Sequence, residues 1–335
     1  MDIGEKLNEL SKLIGNTPMS LITVRYKDEI RRVFAKLEYY NYTGSIKDRM
    51  ALYILQDAYK NGLFNADSEI CEATSGNTGI SFAALGSFLG NKVIIFMPDW
   101  MSEERKSLIR SLGAKINLVT REEGGFLRSL EKVNEYAEKG NVFLPKQFEN
   151  DVNRMAHYTG TGPEIWKQMK KFEVVPDAFT AGVGSGGTVM GVGDFLRSKN
   201  KNCKIYPVEP ANSPTMTTGG KKIGSHRIQG ISDDFIPPIV KLDKLDEIIS
   251  IDDGDAIIAA QMLAKVFGLG VGISSGANLL AALAVQQRFG HNAVATVFPD
   301  DNKKYLSTDY SKEEKRKEEF MTSDLELLTC EISSR

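Results

Sequence analysis

Strand-like and helix-like segments alternate along this 335-residue chain, joined by turns rich in glycine and hydroxyl side chains. In Arg32 to Glu38, residues Val33, Ala35 and Leu37 alternate onto one face, the two-residue period of a strand. After a polar turn, Met50, Ala51, Ile54, Leu55 and Ala58 recur at helical spacing and Gly62 supplies a stop. The order returns in Val93 to Met97, a buried-strand run followed by Ser102 with Glu103 and Glu104 as a helix start. Gly113 is its end, and Ile116 to Val119 is the next strand. It returns again in Asp177 to Thr180, a glycine loop, a helix through Phe195 and the strand Lys204 to Val208. Alternation of this kind predicts an α/β fold with mostly parallel sheets, and the length suits about two domains.

Composition narrows the partners. With 42 Lys+Arg against 44 Asp+Glu the net charge is -2, so the chain lacks the basic excess of a nucleic-acid binder and points to small molecules. Three scattered cysteines, Cys71, Cys203 and Cys330, do not make a disulfide framework and suit a reduced compartment. The opening MDIGEKLNEL is charged where a secretory signal needs an apolar run, so a cytoplasmic location is expected. Val266 to Gln287 is uncharged and long enough to cross a bilayer. Its glycines and its Ser-Ser pair read better as a loop leading into an apolar helix around Leu279 to Val285, so no membrane span is expected. His157, His226 and His291 have no metal-ligand spacing, and no metal is expected. The tail from Ser311 onward, SKEEKRKEEF, offers a Ser311–Glu314 capping box and predicts a solvated terminal helix.

Chemistry concentrates at four places. In NYTGSIKDR, Ser45 is a good N-cap and Lys47 falls in the following first turn, where its charge opposes the positive end of the helix dipole. Dipole and partial burial both depress an amine pKa and enlarge the nucleophilic fraction, which suits a Schiff-base lysine. The run AGVGSGGT, Ala181 to Thr188, lies between a strand and a helix, so its backbone N–H groups converge on an anion and read as a phosphate cradle. A rival reading stands beside it. Gly182, Gly184 and Gly187 satisfy G-x-G-x-x-G, and Glu209 ends the next strand about twenty residues on, as in a dinucleotide fold. In EATSGNTG, Thr74, Ser75, Asn77 and Thr78 set four hydrogen-bonding side chains around Gly76 before a helix Ile80 to Leu89; capping needs one, and a carboxylate seat uses them all. In GISSGAN, Ser274 and Ser275 precede a helix beginning near Asn278, and buried hydroxyls require partners.

Together these sites resemble the cysteine synthase (O-acetylserine sulfhydrylase) family, within the tryptophan-synthase-β-like, fold type II group of pyridoxal-phosphate enzymes. The resemblance runs from IGNTPMSL at Ile14 through TSGNTG, KQFEN, TGTGPEIW, GVGSGGT, VEP, HRIQGI and GISSGA to PDDNKKYLST at Pro299. It implies pyridoxal 5'-phosphate as cofactor, with Lys47 as its Schiff-base lysine and Gly184, Ser185, Gly186, Gly187 and Thr188 as its phosphate loop. Asn77 is implied at the ring oxygen and Ser274 at the pyridine nitrogen, where a hydroxyl limits delocalisation into the ring and favours loss of a β-substituent. Thr74, Ser75, Thr78 and Gln147 are implied for the amino-acid carboxylate. The family pattern further implies a homodimer, a smaller mobile domain at 46–150, and a larger cofactor-binding domain from 1–45 and 151–310, followed by the charged tail 311–335.

One stretch departs from the family. After HRIQGI, where the family usually has small neutral residues, this chain has Ser232, Asp233 and Asp234. A carboxylate near the substrate repels incoming hydrosulfide by up to about 4 kcal/mol at about 4 Å and an effective dielectric of about 20, and it can accept a proton from water. The implied reaction is β-replacement on L-cysteine through an α-aminoacrylate, releasing hydrogen sulfide and adding water to give L-serine. Asp233 is the first candidate base and Asp234 the second. The alternatives are cysteine synthesis from O-acetylserine and sulfide and, from the glycine fingerprint, an NAD-dependent oxidoreductase.

Overall fold

The computed structural model of the chain describes residues 1–333. Its strands are β1 (Met19–Tyr26), β2 (Glu29–Leu37), β3 (Glu69–Ala73), β4 (Val93–Pro98), β5 (Lys115–Val119), β6 (Val142–Phe143), β7 (Ala178–Gly182), β8 (Lys204–Pro210), β9 (Ile249–Ile251), β10 (Val294–Phe298) and β11 (Leu325–Ser333). The helices are α1 (Ile3–Ser11), α2 (Lys47–Lys60), α3 (Asn77–Leu89), α4 (Glu103–Ser111), α5 (Gly125–Ala137), α6 (Asp151–Ala156), α7 (Gly162–Lys171), α8 (Gly187–Lys199), α9 (Asp253–Phe267) and α10 (Ile273–Phe289).

Two sheets organise these elements. The smaller, in the order β5-β4-β3-β6, is parallel throughout. The larger, in the order β11-β1-β2-β10-β7-β8-β9, is parallel from β2 to β9 and antiparallel at the β11-β1-β2 edge. The β2 face read from the alternation, Val33, Ala35 and Leu37, packs into the core with α9 and α10, while Phe34 on the opposite face enters a second core with α7 and α8. A third core joins α1, α2 and α3 to the smaller sheet. Each buried parallel strand therefore has helices to cover it, as the crossover connections require.

Three local expectations are corrected. The last long helix begins at Ile273, not near Asn278, so Ser274 and Ser275 stand in its first turn. Ser102 precedes α4 but does not cap it, because its hydroxyl donates to the Lys304 carbonyl at 3.1 Å. Among the described residues the tail forms no α-helix after Ser311, only a 3-10 turn at Met321–Asp324. Gln261 donates to the carbonyls of Tyr310 (2.8 Å) and Lys312 (2.9 Å), Glu314 is taken by Arg227, and the chain runs on to add β11 to the edge of the larger sheet. These tertiary bonds outweigh a local capping signal. Among the described residues no helix is long and apolar enough to cross a membrane, and Val266 to Gln287 divides into the end of α9, a turn and α10.

Candidate active site

Helix N-termini from both sheets converge on one cleft, partly open to solvent. Lys47 is the first residue of α2, held there because the Ile46 N–H donates to the Pro299 carbonyl (2.8 Å) and the Lys47 N–H to the Ser45 hydroxyl (3.3 Å). Its amine lines the cleft and has no ion-pair partner among the described residues. Burial foremost lowers its pKa, and the nearby charge of Arg105 adds to this, while Asp300 and Asp233 oppose it.

The turn between β3 and α3 supplies the next wall. The Thr74 hydroxyl accepts from the Gly76 N–H (3.0 Å), and Thr78 donates to the Gln147 side-chain oxygen (2.7 Å), whose amide donates to the Ala73 carbonyl (3.1 Å). Thr74, Ser75, Asn77, Thr78 and Gln147 all line the cleft. Asn77 donates to Asp300 (2.8 Å), as does the Tyr305 hydroxyl (2.7 Å).

Opposite lies the loop between β7 and α8. Gly184, Ser185 and Thr188 face the cleft, whereas Gly186 and Gly187 form its backing. Glycine is required here. A Cβ at Gly184 would stand 2.4 Å from the Gly230 carbonyl oxygen, and Gly186 has φ +88 with Val240 where its Cβ would go. Asn153 donates to the Ser185 hydroxyl at 2.8 Å, and His157 approaches Thr188 at 3.4 Å from one ring nitrogen and Thr161 at 2.9 Å from the other. Burial pushes the His157 pKa down to about 3, so the ring is neutral and serves as a hydrogen-bonding strut. Ser274, at the start of α10, completes the lining.

The two aspartates separate. Asp233 is partly buried on the cleft wall, and burial foremost, with the charge of Asp234, pushes its pKa up to about 6. Asp234 is exposed and faces only the outer mouth.

Sequence reasoning missed Arg105, Asp300, Tyr305, Asn153 and His157. Arg105 is 1% exposed, its guanidinium lies 4.7 Å from the Tyr305 ring centroid, and its Cδ lies 2.4 Å from where a Cβ on Gly76 would stand. Its Nε and Nη1, the Asn77 oxygen, the Gln229 side-chain oxygen and one Asp300 oxygen are buried without partners. Unspent polar atoms around a free amine and a glycine-cradled helix N-terminus describe a site built for a polar, anionic guest. These residues fit pyridoxal phosphate: Lys47 would meet its aldehyde, Gly184–Thr188 would hold its phosphate and Ser274 would face its ring.

The family model for pyridoxal-phosphate dependent enzymes matches residues 10–300. The chain belongs to that family. Cysteine synthase B of Campylobacter jejuni subsp. jejuni is 43% identical over 310 residues, covering 92% of this chain and 99% of that protein. The crystal structure of a hydrogen sulfide-producing enzyme from Fusobacterium nucleatum aligns with TM-score 0.96 and 56% identity over 99% of each chain. An aspartate-to-asparagine mutant of the same enzyme, complexed with the alpha-aminoacrylate intermediate, matches equally, with TM-score 0.96 and 56% identity over 99% of this chain and 100% of that one. This cysteine-synthase-like enzyme is therefore pyridoxal-phosphate dependent and has the fold type II architecture. The dinucleotide reading fails on the geometry as well. Glu209, its ribose-binding acid, is spent on the Met216 N–H (2.8 Å) and the Thr217 and Ser250 hydroxyls.

Proposed function

We propose that this enzyme converts L-cysteine and water into L-serine and hydrogen sulfide. The observation that carries the reading is Asp233, an acidic side chain on the wall of the Lys47 cleft with its pKa pushed up to about 6. The bound cofactor supplies the electron sink that makes the Cα proton acidic and lets the β-substituent leave and be replaced. Lys47, its amine pKa lowered by burial, takes and later returns the Cα proton. The Thr74–Thr78 turn and Gln147 hold the substrate carboxylate at the N-terminus of α3. After hydrosulfide has left, ionised Asp233 accepts a proton from water as its oxygen bonds to Cβ and then passes it to solvent, where hydrosulfide takes one up, so atoms and charge balance. The same negative charge disfavours the return of hydrosulfide. One relative named for hydrogen sulfide production, solved both unaltered and as an aspartate-to-asparagine mutant holding an intermediate, supports the reading.

The likeness to cysteine synthase B favours a second reading, cysteine formation from O-acetylserine and sulfide. Incubating the cofactor-loaded enzyme with L-cysteine alone separates the two. Serine equal to sulfide is expected, and Asp233→Asn should lower serine formation by at least about tenfold while sulfide is still released. Pyruvate in place of serine, or no turnover on cysteine alongside rapid cysteine synthesis, overturns the proposal. A cytoplasmic homodimer, with 46–150 moving against the remainder to close the cleft, completes the proposed picture.

A further inference from the structure

The segment that leads into Asp233 is fastened at two places, both before Asp233. On the inner side, the Ser232 N–H donates to the Val183 carbonyl (2.8 Å), Ile231 packs on Gly182, and the Gly230 carbonyl closes on Gly184. Ser232 itself sits at φ +54, a region costly for a side chain, held by contacts of its hydroxyl with the Ser213 carbonyl and the Thr215 hydroxyl, both at 3.2 Å. On the outer side stands Arg227. Its backbone N–H donates to Asp253 (2.8 Å), and its guanidinium donates to Asp253 at 2.7 and 3.1 Å and to Glu314 at 2.6 and 3.0 Å.

Asp253 alone would neutralise Arg227, so Glu314 adds direction more than charge. A planar guanidinium gripped by these two carboxylates, with Asp309 a looser third at 3.5 Å, is fixed in orientation as well as position. The approach is close enough to need glycine beneath it, for a Cβ on Gly254 would stand 2.9 Å from the Glu314 carboxylate and 3.1 Å from Phe320. Glu314 belongs to the tail, which lies beyond the family match ending at residue 300.

We infer that the C-terminal tail is a strap whose Glu314, through Arg227, positions the Asp233 loop for the addition of water. Glu314 and Arg227 are positioning residues, and the inference rests on the water-adding reading above. When the loop is loosened, sulfide still leaves, but the half-reacted amino acid is lost to hydrolysis as pyruvate and ammonia before Asp233 can deliver water to Cβ.

The test compares the holoenzyme with Glu314→Gln, Glu314→Ala and Arg227→Lys. In Glu314→Gln and Glu314→Ala, amide exchange across residues 224–234 should rise about tenfold. Serine per sulfide should fall at least about threefold, pyruvate making up the difference, with sulfide release within about twofold of the parent. Arg227→Lys, which keeps the charge but not the fork, should give an intermediate loss. An unchanged serine-to-sulfide ratio in folded Glu314 variants, even with a lower melting temperature, reduces the strap to a structural brace and overturns the inference. If the parent enzyme itself forms no serine, the water-adding reading has failed separately. The strap is then judged on amide exchange alone, and exchange unchanged in both Glu314 variants overturns it.

Discussion

The fate of the half-reacted amino acid should titrate with one carboxyl group. Burial first, and the charge of Asp234 second, push Asp233 up to about 6, with Lys47 pulling the other way. A general base works only when ionised, so water addition should rise with pH through this value and level off above it. Between about pH 7 and about pH 5 the ionised fraction of a group with pKa near 6 drops from about nine-tenths to about one-tenth. The serine-to-pyruvate ratio should therefore fall about tenfold over that interval. Dividing serine by pyruvate removes the first Lys47 step, because both products descend from the same deprotonation at Cα. Asp234→Asn deletes the like charge that raises Asp233, so it should move the midpoint to lower pH and leave the plateau in place. The assay is quench-flow product analysis of serine, pyruvate and sulfide across about pH 5 to 8. A ratio constant over that range, or one that grows as pH falls, would refute Asp233 as the base.

Three further outcomes follow from the site and the fold. Arg105→Gln removes a buried cation that packs over the carboxylate seat and has two unspent nitrogens, so KM for L-cysteine should rise by at least about tenfold with a smaller change in kcat. A kcat loss with KM unchanged would count against it as a binding group. Gly184→Ala should abolish cofactor retention, since its methyl group would meet the Gly230 carbonyl at 2.4 Å; the cofactor-to-protein ratio after gel filtration measures this. Leu327→Ala, in β11 opposite Val24 of β1, should cost about 2–3 kcal/mol in denaturant unfolding, because it empties part of the core under the antiparallel edge.

What could be read in advance was whatever has a local cause. The strand-to-helix turns at Thr74–Thr78 and Gly184–Thr188 declare themselves because an anion seat needs glycines, hydroxyls and a helix start within a few residues. Arg105 was legible by the same reasoning that singled out Lys47, since it too is a cation in a helix first turn; flanked by Glu103, Glu104 and Lys106, it passes for a solvated face. Asp300 and Tyr305 gain meaning only through Asn77 and Arg105, which lie on other elements. The tail shows the opposite failure. Its capping signal is real but local, and the bonds that replace it come from Gln261, Arg227 and β1, at distances along the chain that no short pattern encodes.

Behind Lys47 lies a buried cluster whose charges balance. Two residues on, Arg49 bonds to Glu38 at 2.6 and 2.9 Å and to Glu164 at 2.8 and 2.7 Å, and Lys36 reaches Glu164 at 2.8 Å. Two cations and two anions cancel, so the cluster ties α2 to β2 and α7 without imposing a net field on the amine. Such a cluster is costly to bury and adds little net stability, but it fixes one geometry, because losing any partner strands a charge. The chemistry at Lys47 is left to groups that face the cleft: Arg105 disfavours the protonated amine, while Asp300 and Asp233 favour it. Asp233 therefore has two effects at once, supporting the lysine's charge and receiving water's proton. A neutral residue in its place would make Lys47 less basic even as it removed the base, so sulfide release and serine formation answer differently to the same substitution.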